Sequence, residues 1–120
     1  MTDHRVDFHS DTATVRVMVA GRQIAATDKA VVLLETGLPP VCYIPAQDVD
    51  ASILEKTSLT THCPYKGDAS YWSIRVGDHV VENAIWSYED PIPAALQIKG
   101  HMAFYTNKVD VYDADLPALD

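Results

Sequence analysis

The sequence predicts a mainly β, single small domain, and three observations predict it. Apolar and polar side chains alternate with a period of two over residues 15–19, 70–76 and 80–88, which marks strands with one buried face. Two-residue turns that open on glycine, Gly21-Arg22 and Gly77-Asp78, join such stretches into hairpins. The clusters Thr36-Gly37-Leu38-Pro39-Pro40 and Asp90-Pro91-Ile92-Pro93 break the chain, because proline donates nothing to a ladder and glycine tolerates positive φ.

Residues 1–13 read as a tail, being polar, aperiodic and rich in Asp and His. The folded domain is expected over residues 14–112. It opens with the alternation of Val15, Val17 and Val19, and after Gly21-Arg22 residues 23–27 resume a short strand. Asp28-Lys29 interrupts, and residues 30–34 form a continuous apolar run, consistent with a strand buried on both faces and ended by Glu35. Residues 41–44 are a short β-branched and aromatic strand stopped by Pro45. Residues 46–58 read as loop plus strand, since Val49 and Ile53 do not fill out a helical face and the threonines disfavour one. A loop at 62–68 leads into the central hairpin, whose strands cover residues 69–76 and 79–88. One helical turn fits residues 94–98, with proline suited to its start, and no more than two such turns are expected in the chain. Strands at 102–105 and 109–112 precede an acidic tail, residues 113–120.

Composition bounds the function. At 120 residues, 48% hydrophobic and 22% charged, the chain buries an ordinary globular core. Its formal charge of −8 works against binding nucleic acid or an anionic membrane, while leaving room for a local basic pocket that takes an anion. The N-terminal stretch has no apolar core of the signal-peptide kind and no run approaches a membrane span, so a cytoplasmic location is expected. Cys42 and Cys63 are too few for a disulfide framework and, with His62 and His79, lack the close spacing that holds zinc. No metal and no cofactor is expected.

Three motifs in order carry a resemblance. They are the run from Glu35 through Thr36-Gly37-Leu38-Pro39-Pro40 to Val41-Cys42-Tyr43-Ile44-Pro45; then Thr61-His62-Cys63-Pro64-Tyr65-Lys66-Gly67-Asp68-Ala69-Ser70-Tyr71-Trp72; then Glu82-Asn83-Ala84-Ile85-Trp86-Ser87-Tyr88. With them the chain resembles the bacterial domain-of-unknown-function family 427 over about residues 15–112. The resemblance implies a bent, tent-like antiparallel sheet. Some classifications attach a nucleotidyltransferase-like label to that family, yet this chain has no Gly-Ser pair followed by spaced aspartates to carry a metal and a triphosphate.

The 62–68 loop is the densest set of reactive groups. Cys63 would be a nucleophile if a nearby cation such as Lys66 or His62 favoured its thiolate; against this, free cysteine usually packs as a small hydrophobe, and neighbours on a strand face opposite ways. His62 is a candidate base, although a lone histidine is more often structural. Lys66 with Gly67 and Asp68 forms a turn suited to an anion, or simply to solvated charges. Glu35, ending an apolar run, and Glu82, sharing a strand with Trp86 and Tyr88, are candidate acids or bases, with solvent exposure the alternative. Tyr43, Trp86 and Tyr88 are candidate ligand contacts; filling a β core with their polar tips satisfied is the competing role, and it is the better reading of Trp72. The expectation is a small polar or anionic ligand bound by the 62–68 loop with Glu35, Glu82, Tyr43, Trp86 and Tyr88, with scope for acid/base or transferase chemistry. Two other classes remain open: a protein-interaction module, homodimer included, and a redox-responsive thiol protein centred on Cys63.

Overall fold

In the computed structural model, which describes residues 4–119, the alternating segments pair into one open antiparallel sheet. Its strands are β1 (Val6–Phe8), β2 (Ala13–Val19), β3 (Arg22–Glu35), β4 (Val41–Pro45), β5 (Leu54–Cys63), β6 (Gly67–Val76), β7 (His79–Ser87), β8 (His101–Phe104) and β9 (Val111–Asp115). The order across the sheet is β5-β6-β7-β8-β4-β3-β2-β9, with β1 added beside β3. Helical structure among the described residues is confined to 3₁₀ turns at Ala46–Asp48, Ala51–Ile53, Pro93–Ile98 and Thr106–Lys108. These are four short turns where the sequence suggested at most two, and none grows into a helix.

Local chemistry explains the connections. The β2-β3 hairpin turns on Ala20 and Gly21, one residue earlier than Gly21-Arg22, because both have positive φ (51° and 76°), the mirror-image type I′ turn whose twist suits a hairpin. Asp110 helps hold Ala20 there, its carboxylate accepting from the Ala20 amide at 2.7 Å. The turn at Gly77-Asp78 lies where the sequence placed it. Asp28-Lys29 does not interrupt β3: β3 carries one extra residue between Thr27 and Ala30, opposite Ala13–Val15 of β2, and this bulge absorbs the irregularity, while the Thr27 hydroxyl accepts from the Lys29 amide at 3.0 Å and donates to Asp48 at 2.7 Å.

Both ends of the chain enter the sheet. Of the stretch read as an N-terminal tail, Met1, Thr2 and Asp3 lie outside the described residues, whereas Val6–Phe8 pairs with Leu33, Leu34 and Glu35 of β3. At the other end β9 runs on to Asp115 and pairs with β2 from Thr14 to Met18; Asp120 lies outside the described residues.

The sheet buries a different core on each face. Along β3, β4 and β8 the side chains alternate between two clusters: Val32, Cys42, Ile44, Met102 and Phe104 on one side, Leu33, Tyr43 and Ala103 on the other. The first cluster is mainly aliphatic and gathers Val15 and Val17 of β2 with Ile74 of β6 and Ile85 of β7. Four strands separate β2 from β6 in the sheet order, yet these residues are fully buried, at 0% exposure. A flat sheet has nothing to cover such a face, so this one bends over and its two arms cover each other. The second cluster is rich in tyrosine and is covered by Val6 and Phe8 of β1 and by Ala95 and Ile98 of the 93–98 turn.

Candidate functional site

Two chain segments build the centre of the second cluster: the end of β3, which delivers Glu35, and the β5-β6 hairpin, which delivers Cys63 and Lys66. Residues 62–68 are not an open loop. His62 pairs with Asp68 and Cys63 with Gly67, so the strands run to within three residues of each other and only 64–66 turn. The Lys66 amide donates to the Cys63 carbonyl at 3.2 Å, and Gly67 takes φ +119°, which closes the hairpin in a way L side chains rarely allow. The Lys66 carbonyl in turn accepts from the Ile92 amide at 2.9 Å, tying the turn to the Asp-Pro-Ile-Pro segment.

Strand alternation then sorts the reactive groups. His62 and Asp68 point outward, with side chains 69% and 81% exposed, and bond each other at 2.7 Å. Cys63 and Lys66 point inward. Lys66 is only 8% exposed, and its Nζ donates to Glu35 Oε1 at 2.6 Å. The same ammonium lies 3.8 Å from Cys63 Sγ. His4 Nε2 sits 2.9 Å from the other Glu35 oxygen, and its ring stacks on Tyr65 with centroids 4.0 Å apart. The N-terminal segment thereby forms a strap over the ion pair, fixed by reciprocal bonds between Arg5 and Thr36.

Phenols surround this charge pair. Tyr43 is 1% exposed and its hydroxyl accepts from Trp86 Nε1 at 3.2 Å. Burial pushes the Tyr43 phenol up to about 12, the Trp86 bond opposing and the negative charge of Glu35 adding. Tyr88 is also pushed up, again chiefly by burial. Tyr71 completes the set, its hydroxyl 2.9 Å from Thr61 Oγ1. Tyr43 and Tyr88 therefore stay protonated at neutral pH and can offer hydrogen bonds into the cluster. A cleft of about 250 Å³ lined by Arg5, Asp7, Leu34, Thr36 and Leu38 reaches Glu35 from the strap side.

Of the residues singled out from the sequence, Glu35, Tyr43, Cys63, Lys66, Gly67, Trp86 and Tyr88 meet on this face of the sheet. His62 and Asp68 stand on the outside of the hairpin, for the reason that adjacent strand residues face opposite ways. Glu82 does not join them. It is exposed in the middle of β7, in an irregular stretch where Asn83 adopts φ +48° and β7 runs four residues from Val81 to Ile85 against two of β6, from Ile74 to Trp72. Sequence reasoning missed His4, whose partner lies 31 residues away, and gave Tyr71 no role beyond its aromatic neighbours. The tyrosine had a signal in its alternation with Trp72; the histidine had none.

Among the described residues no group of three or more His, Cys, Asp or Glu side chains could hold a metal ion, and no helix is long and apolar enough to cross a membrane. A protein-family profile described as a domain of unknown function, DUF427, and labelled NTP_transf_9, matches residues 7–115. No curated protein matches the chain.

Proposed function

Because the chain belongs to the family of domain of unknown function DUF427, whose description leaves the activity open, we propose from the geometry alone that it binds a small anionic ligand at Lys66, with Glu35 as the counter-ion that the ligand displaces. The observation that carries this reading is the Lys66–Glu35 pair, with both side chains 10% exposed and 2.6 Å apart. Two charges removed from water are an inefficient way to stabilise a fold, since the desolvation cost rivals the Coulombic gain and apolar substitutes often serve as well. Buried, specifically paired ionisable groups are more characteristic of functional sites. The ligand's anionic group would take the place of the Glu35 carboxylate at Nζ, with Tyr43, Tyr71 and Tyr88 donating hydrogen bonds and His4 retaining the displaced carboxylate. Cys63 stands beside the ammonium, its Sγ 3.8 Å from Nζ, and would border the bound anion.

The test is a thermal-shift titration of the full chain with inorganic phosphate, acetate and ATP. At least one anion should raise the melting temperature. Glu35→Gln, which frees Lys66 of its competitor, should enlarge the shift, and Lys66→Met should abolish it. If none of the three anions stabilises either the wild type or Glu35→Gln, the reading fails.

A further inference from the structure

The other side of Trp86 faces a second cleft, of about 260 Å³, between the Pro39-Pro40 segment, the end of β8 and β9. Its walls are Pro39, Pro40, Trp86 and Tyr105, and its floor is Cys42 with Tyr112. From this geometry we infer that the cleft is a binding site for a neutral, planar aromatic molecule of one or two fused rings.

Three features argue for that ligand class. One wall is aromatic: Trp86 and Tyr105 pack against each other, ring centroids 4.6 Å apart at 49°, and Trp86 is held by its 3.2 Å bond to Tyr43, so this wall stands opposite Pro39 and Pro40 before anything enters. Aromatic and proline faces favour stacking on a flat ring over packing a branched chain. None of the residues lining the cleft is charged, and the Lys108 ammonium, 5.1 Å from the Tyr105 ring centroid, is bonded to the Glu82 and Asn83 carbonyls, so an ionised ligand would lose its hydration with little compensation. The floor supplies polarity of a different kind. The Tyr112 hydroxyl is hydrogen-bonded to the Cys42 thiol, and burial raises both groups so that they stay neutral. Asn107, also in the lining, adds an amide that can hydrogen-bond a ring substituent. The volume lies just below the roughly 300–1,000 Å³ of pockets that hold drug-sized molecules, which sets the size at one or two rings. This site and the Lys66 site have only Trp86 in common, and they ask for opposite chemistry, a neutral ring against an anion.

Titrating indole into nitrogen-labelled full-length protein tests the inference, with the Trp86 side-chain resonance assigned through Trp86→Phe. Saturable shifts should appear at Trp86 Nε1 and at the amides of residues 105–107 and 112–114. Cyclohexanol, which is neutral but not planar, and benzoate, which is planar but charged, should each bind at least about tenfold more weakly, a difference of about 1.4 kcal/mol. Ala114→Trp and Asn107→Trp, both at exposed positions bordering the cleft, should each weaken indole by a similar factor while leaving the rest of the spectrum in place. Two variants are included so that a folding defect in one leaves the other decisive. Shifts that do not saturate, equal binding of cyclohexanol or benzoate, or unchanged indole binding in a folded variant would overturn the inference. Phosphate binding at Lys66 has no bearing on these outcomes.

Discussion

At the scale of single residues, Lys66 is the side chain whose loss should be felt most. Lys66→Met removes the ammonium but leaves the Glu35 carboxylate in a place that is 10% exposed. Breaking one partner of such a pair costs about 3–5 kcal/mol, which urea unfolding would read as a lowered midpoint with unchanged slope. The double variant Glu35→Leu/Lys66→Met should recover most of that loss, since it removes both desolvated charges. A double variant no more stable than Lys66→Met would mean that the pair stabilises the fold directly. Gly67 is a second sensitive position. At φ +119°, and with an added Cβ 3.4 Å from the Ile92 amide nitrogen and the Pro91 Cα, Gly67→Ala should cost about 1–3 kcal/mol, seen in the same measurement. Tyr43 sets an alkaline limit. Its folded-state pKa of about 12 stands above the ordinary value of 10.0, so burial favours the protonated phenol. The resulting stability is fully present below pH 10 and is lost as pH rises through about 12. Unfolding midpoints measured across that window should fall for the wild type and fall less steeply for Tyr43→Phe.

At the scale of elements, what the sequence made legible depended on how local the cause was. The β6-β7 hairpin could be read because its period-two pattern and its Gly77 turn lie within one short stretch. The β2-β3 turn was displaced by one residue because the extra positive φ falls on Ala20, a residue type that gives no signal for it. β1 and the last three residues of β9 were read as tails, since these stretches are short, lie within polar sequence and find their partners only in the folded sheet. Glu82 was misplaced by a bulge at Asn83 that alternation cannot reveal. The ion pair of the site joins positions 31 apart in sequence, so its members were legible individually and their meeting was not. β1 carries an expectation of its own. Removing residues 1–9 takes away the partner of Leu33, Leu34 and Glu35 and uncovers the tyrosine-lined core. The truncated chain should melt at lower temperature and its Cys63 should react faster with a thiol reagent; labelling at the wild-type rate would show that the strap does not cover the site.

At the scale of the whole molecule, one bent sheet joins two cores that share strands. Leu33 and Ile74 lie in different clusters and are 1% and 0% exposed. Truncating either to alanine should cost about 2–5 kcal/mol. Because β3 and β4 contribute alternate residues to both clusters, neither core can melt alone. Each variant should therefore unfold in a single transition, and the double variant should show the sum of the two losses to within about 0.5 kcal/mol, provided the sites are independent. A second transition in either single variant would show that the two faces come apart.

The division between an aliphatic face and a tyrosine-lined face has a consequence for how freely this molecule can change. Val15, Val17, Ile74 and Ile85 sit on the side of the sheet away from the Lys66–Glu35 pair. Substitutions there can raise or lower the melting temperature while the groups that would meet a ligand keep their places. On the opposite face the same side chains that fill the core also line the site, so stability and binding cannot be adjusted separately. An engineer seeking a hardier version should work around Val15, Val17, Ile74 and Ile85, away from Cys42 and Tyr112, and a lineage under selection for a new anion would have to accept its stability losses on the tyrosine-lined face.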